Sequence, residues 1–312
     1  MSKSQRLIKN AALVSMALLG SGLVATIYMQ NKKYTQYSQY SHSEESMKEA
    51  LSNSEWRSYA LGQVVPLNSD SKLFRFVLAR NGEALKLNFN SIASIKLQQP
   101  SSDNASDHSC VELYPINSEN NVGFMDVVIH KKEQPELFKS KAGSLFNFKG
   151  PFQSNFNVDE YLSSTQASDM ISIIAQDVEH GVAPSLQLVY KLLIQDNSSS
   201  GNRKVNSSSP NKPKIHLFYV VSNQKDYLLK QSLQDLKGSL SGRIEMTTIQ
   251  GGSTLTLPST ELLEALHVVK SNASHGPVIV CGSQDFEESL SSQLLEQYQV
   301  KSISLHDGEK RS

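Results

Sequence analysis

Cysteine is scarce in this chain, with only Cys110 and Cys281 in 312 residues. Two thiols cannot build a disulfide framework for a chain this long, and the count suits a reducing compartment for the folded part. An excess of either charge is also missing, because Lys plus Arg and Asp plus Glu each number 30. Without a net field, and without a basic stripe interleaved with aromatics, nucleic acid is not an expected partner. The familiar catalytic signatures are absent too. There is no phosphate loop ending in Gly-Lys-Ser or Gly-Lys-Thr, no His-Glu-x-x-His and no Gly-x-Ser-x-Gly. The eight histidines are scattered, so no metal-ligand spacing exists.

Long apolar runs are rare as well, and the one that stands out lies at the start. From Ala11 to Met29 the chain carries no charge, with Lys3, Arg6 and Lys9 before this stretch and Lys32 and Lys33 after it. That length just spans a bilayer, whereas a cleavable signal has a shorter apolar core and no lysines immediately downstream. The expectation is a short tail over 1–10 and a single-pass transmembrane anchor over 11–29. The soluble part is expected on the cytosolic side of the endoplasmic reticulum or the mitochondrial outer membrane. Residues 30–55 are rich in Ser, Gln, Tyr, Lys and Glu, and so read as a polar linker.

What remains is long enough for two compact units, and its grammar changes part-way. Over 56–152 short β-rich runs follow one another: Tyr59–Val65, Leu73–Leu78, Ser91–Leu97, Val111–Ile116, Gly123–Ile129 and Leu145–Lys149. Bounded by turn residues, they predict a small antiparallel barrel. Over 165–307 strand-like and helix-like stretches alternate, which predicts an open parallel sheet. The helices are expected at Pro184–Leu193, Lys225–Leu236, Ser259–Val269 and Asp285–Gln297, the second with a core stripe of Leu228, Leu229, Leu233 and Leu236. The last apolar run, Val278-Ile279-Val280, stops at Cys281-Gly282, at the carboxyl end of a strand where open α/β sheets bind their ligands.

Several segments, in order from Trp56 to Asp307, resemble the ferredoxin reductase-like flavoproteins, and in particular the NADH-cytochrome b5 reductases. Glu112-Leu113-Tyr114-Pro115-Ile116 stands where that family has Arg, any residue, Tyr, then Ser or Thr and often Pro. Lys149-Gly150-Pro151-Phe152 is close to its Arg-Gly-Pro turn. Val178-Glu179-His180-Gly181-Val182-Ala183-Pro184 matches its Gly-Gly-Thr-Gly-Ile-Thr-Pro turn at Gly181 and Pro184. Cys281-Gly282 with Phe286 retains the frame of its Cys-Gly-Pro-Pro-Gly-Phe turn, and Asp285 reads as the N-cap of the helix that follows.

The resemblance implies a flavin-type barrel followed by a nicotinamide-type α/β domain. It also implies FAD and NAD(P)H as cofactors and a haem protein or similar electron acceptor as partner. The positions it points to are Tyr114, Gly150, Pro151, Gly181, Pro184, Cys281 and Gly282. A second reading stays open beside it, in which the same fold is a catalytically degenerate, membrane-tethered binding or scaffold module. Glu112 puts an anion where the family has Arg, and like charges near 4 Å repel by about 4 kcal/mol at an effective dielectric of 20. Pro115 has neither hydroxyl nor N–H. Val178 and Glu179 replace glycines that let a phosphate approach the backbone, and Glu179 adds a carboxylate at a helix start.

Overall fold

A computed structural model describes residues 48–78, 83–87, 91–98, 110–117, 121–158, 160–161, 170–194, 214–222, 224–240, 242–251, 264, 267 and 278–305. The expected anchor at 11–29 lies outside them, and among the described residues no helix is long and apolar enough to cross a membrane. The expected helix over 259–269 also falls almost entirely outside them. Two compact units divide the chain, and the architecture below belongs to the second, Glu49–Ser312.

The first half is an antiparallel sheet of six strands: β1 (Arg57–Pro66), β2 (Ser71–Val77), β3 (Ala93–Gln98), β4 (Cys110–Leu113), β5 (Phe124–His130) and β6 (Leu145–Gln153). Their order in space is β4-β3-β6-β1-β2-β5. The two outer strands then meet: the Ile116 amide, just beyond β4, donates to the Asp126 carbonyl of β5 at 3.0 Å. Asn117 Oδ1 accepts the Asp126 amide. The sheet therefore curls on itself as a barrel, and aromatic side chains such as Phe74, Phe76, Phe146 and Phe148 fill it. Asp126, the polar interruption in an apolar strand, is buried because its register partner on β2 is Arg75. The guanidinium donates to both carboxylate oxygens at 2.8 and 2.7 Å and lies 4.0 Å from the Phe124 ring centroid.

Two local readings are corrected here. Gly150-Pro151 is not a turn, since β6 continues through it with a register shift between Ser94 and Lys96 opposite. At φ 139° Gly150 adopts a backbone that side-chain-bearing residues avoid, and a Cβ there would stand 3.2 Å from the Ser94 carbonyl oxygen. Ala50 and Leu51, within the stretch read as linker, are buried in the barrel core.

The second half is a parallel sheet of β7 (Met170–Gln176), β8 (Lys214–Val221), β9 (Ile244–Gln250), β10 (Val278–Cys281) and β11 (Ser302–Ser304), in the order β9-β8-β7-β10-β11. Between β7 and the helix α1 (Ala183–Ile194) stands a π-helical turn, Val178–Val182. The expected helix over 225–236 is shorter: a 3-10 turn at Gln224–Asp226 precedes α2 (Lys230–Ser239). Leu229 separates them at φ 57°, a left-handed backbone that no continuous helix accommodates, so only Leu233 and Leu236 form the stripe inside α2. The cap of α3 (Gln284–Tyr298) is Ser283 rather than Asp285, with its hydroxyl accepting the Phe286 amide. Asp285 instead sits in the first turn, where the helix dipole favours its charge.

The halves are joined through α1. Gln187, which is buried, bonds both backbone groups of Ala93 and the Pro115 carbonyl, and Lys191, also buried, donates to the Leu87 carbonyl at 2.9 Å. One apolar cluster runs from Ile92, Tyr114 and Val128 of the barrel to Ile173, Val182 and Leu186 of the α/β half.

Candidate functional site

β7 and β10 are adjacent and parallel, with Ala175 opposite Cys281, and the sheet order reverses between them. In open α/β sheets this switch point, beyond the carboxyl ends of the strands, is where ligands sit. A cleft of about 1900 Å³ opens there against the barrel. Ordinary small-molecule pockets hold about 300–1,000 Å³, so this one is roomy enough for a dinucleotide-sized occupant. Its walls include Ile92, Glu112, Tyr114, Val128 and His130 from the barrel, Gln176 to His180 from the end of β7 and the start of the π turn, and Gly282 to Asp285 from beyond the end of β10.

The positions singled out from the sequence separate into two groups. Tyr114 and Gly282 line the cleft. The Tyr114 ring is met edge-on by the His180 imidazole, with centroids 6.3 Å apart, and its hydroxyl donates to Glu112 Oε1 at 3.4 Å. Gly150 and Pro151 lie within β6, between β3 and β1, and Gly181 and Pro184 are buried at the turn; these four are not among the residues that line the cleft. Gly181 is required by packing: a Cβ there would fall 1.9 Å from the Gln176 carbonyl oxygen. Cys281 is fully buried and belongs to the core cluster with Ile173 and Ile279. Burial pushes its thiol far above the ordinary value, against a hydrogen bond with Ser185 that acts to lower it.

Three features of the cleft are not visible as motifs. Asp177, at φ 55°, starts the π turn and accepts the His180 amide at 2.8 Å. Glu287, nearly fully buried, accepts the Gly282 amide at 3.0 Å and the Ser304 hydroxyl. Glu179 accepts the His130 amide at the end of β5. Burial pushes the Glu179 carboxyl up to about 8, with Asp177 and Glu133 adding to the rise and the His130 bond opposing it. Burial thus favours the protonated form of Glu179, against the sequence reading of it as a fixed negative charge. The one sequence signal for Asp177 is its place at the end of an apolar run, and Glu287 has none beyond lying early in a helix.

The lining also has a charge pattern. Among the described residues of the lining, Glu112, Glu133, Asp177, Glu179, Asp226, Asp285, Glu287 and Glu288 stand against Lys132 as the one lysine or arginine. A pyrophosphate needs cationic or backbone N–H donors. Here the amides of His130 and Gly282 already serve Glu179 and Glu287, and Glu112 stands in place of the family's Arg. Pro115 offers no donor, and its carbonyl accepts from Gln187. These residues do not fit FAD or NAD(P)H held in the manner of the reductases they resemble.

No family model matches the chain. It is 23% identical over 248 residues to NADH-cytochrome b5 reductase 2 of Kluyveromyces lactis, covering 78% of this chain and 73% of that protein. It is 25% identical over 197 residues to NADH-cytochrome b5 reductase 1 of Mycosarcoma maydis, covering 62% of this chain and 52% of that protein. Among solved structures, the cytochrome b5 reductase domain of Ulva prolifera nitrate reductase is similar with a TM-score of 0.58 at 17% identity, over 82% of this chain and 99% of that one. The ferredoxin-NADP+ reductase of Plasmodium falciparum with 2'P-AMP follows at 0.54 and 16%, over 81% and 98%. The structural likeness establishes the two-part reductase fold, and the sequence relatives support a distant relation to the NADH-cytochrome b5 reductases.

Proposed function

We propose that this chain is a reductase-fold protein that works as a binding or scaffold module, tethered to a membrane through residues 11–29, rather than as a flavin electron carrier. The observation that carries this reading is the cleft at the switch point, where, among the described residues, seven carboxyl groups besides the raised Glu179 stand against one lysine. Electrostatic complementarity selects ligands, and this lining disfavours two pyrophosphates in succession.

A second reading is favoured by Tyr114 and Gly282, which both face the cleft. In it the protein is a membrane-anchored NAD(P)H oxidoreductase of the cytochrome b5 reductase kind, passing electrons through FAD to a haem protein. When bound, FAD supplies the step from hydride to single electrons. Tyr114 would then wall the flavin ring and Gly282 would leave room for the nicotinamide.

The visible spectrum of the purified full-length chain decides between them. Colourless protein whose spectrum and thermal midpoint ignore added FAD and NADH supports the module. Yellow protein that bleaches on NADH addition overturns it in favour of the reductase.

A further inference from the structure

Glu179 occupies the second position of a turn where the resembling reductases carry glycine. It belongs to the α/β half, yet its carboxyl oxygen accepts the backbone N–H of His130, the last residue of β5 in the barrel. Both residues line the cleft. A backbone N–H at the mouth of such a cleft is the kind of donor a phosphate oxygen uses. Glu287 makes the parallel arrangement on the other side, holding the Gly282 amide.

We propose that Glu179 is the specificity determinant of the cleft, a built-in acceptor that reserves the His130 amide and thereby keeps phosphate-bearing ligands out. The inference rests on the module reading above and names the residue that enforces it. A phosphate oxygen reaches this donor only if Glu179 leaves it, and a displaced Glu179 loses its bond while staying enclosed between the halves. A glycine at the position removes both the competing acceptor and its bulk. Asp177 and Glu133, which also face Glu179, are unaffected by that change.

The test uses ADP, the diphosphate shared by FAD and NAD(P)H, titrated calorimetrically into the full-length chain and into Glu179→Gly and Glu179→Ala. Binding at least tenfold tighter in the folded variants supports the inference. Equal affinity in all three chains, or no binding by the folded variants, overturns it. Should one variant fail to fold, the other decides. In the wild-type chain the His130 amide resonance is expected to stay in place at millimolar ADP, and a shift there overturns the inference whatever the variants do. A yellow, NADH-reducible wild type overturns the module reading and this inference together, whereas equal ADP affinity in a colourless wild type and its variants overturns this inference alone.

Discussion

Gln187 and Ala93 exchange a pair of hydrogen bonds: the Ala93 amide donates to Gln187 Oε1 and the Gln187 amide donates to the Ala93 carbonyl, each at 3.0 Å. A helix side chain thus pairs with β3 as a neighbouring strand would, and it takes in the Pro115 carbonyl at 2.9 Å as well. Gln187→Leu would leave one buried N–H and two buried carbonyls with a partner lost. Each such group costs about 1–3 kcal/mol, so a loss of roughly 3 kcal/mol is expected. A urea titration followed by circular dichroism checks this, and an unchanged midpoint would show that the joint contributes nothing.

Glu179 predicts a pH slope. Its carboxyl is raised from 4.5 to about 8 in the folded chain, so the folded state holds the proton more tightly than the unfolded one. The stability this gives is complete below about pH 4.5 and is lost as pH rises towards about 8, amounting to a few kcal/mol. His216, lowered from 6.5 by burial against the pull of Glu245, acts the other way and weakens the fold as pH falls below that value. Comparing wild type with Glu179→Gln at each pH cancels the histidine. The difference between them should grow from about pH 5 to about pH 8 and then level off, and a constant difference would contradict it.

The two thiols should react very differently. Cys110 is exposed and Cys281 is buried with its thiol pushed far up. A thiolate is the reactive species, and burial denies both ionisation and access. Titration with a chromogenic disulfide is expected to release one fast equivalent from native protein and the second only after unfolding. Two fast equivalents would place Cys281 on the cleft after all.

Arg75 and Asp126 form a largely buried, doubly bonded pair. Removing one member of such a pair leaves an uncompensated charge and costs about 3–5 kcal/mol. Arg75→Leu should therefore lower the unfolding midpoint sharply, and Arg75→Leu with Asp126→Leu should recover much of the loss. Equal damage in the single and double variants would mean that packing, and not charge, sets the cost.

The strands were legible because apolar β-rich runs survive any tertiary context, and the alternation after residue 165 announced a parallel sheet. Errors arose where a distant partner decides the outcome. Gly150-Pro151 looked like a turn because its bulge is set by β3 across the sheet. Gln187 reads as an ordinary polar helix position, yet its partner lies 94 residues away. At the candidate site Tyr114 and Gly282 could be named from the resemblance to the reductases, and both line the cleft. The direction of the Cys281 side chain could not, since packing against α1 and the core chooses it. The raised carboxyl of Glu179 was equally hidden, because it comes from burial and not from the identity of the residue.

Gly181 carries a lesson for anyone searching genomes with a nucleotide-turn pattern. The carbonyl of Gln176 leaves no space for a methyl group at this position, whatever the cleft holds. Drift would therefore erase the other glycines of the turn freely while folding alone polices this one. In descendants of a reductase that have abandoned their cofactor, it should be the last letter of the turn to change, so its presence dates the fold and says little about the chemistry.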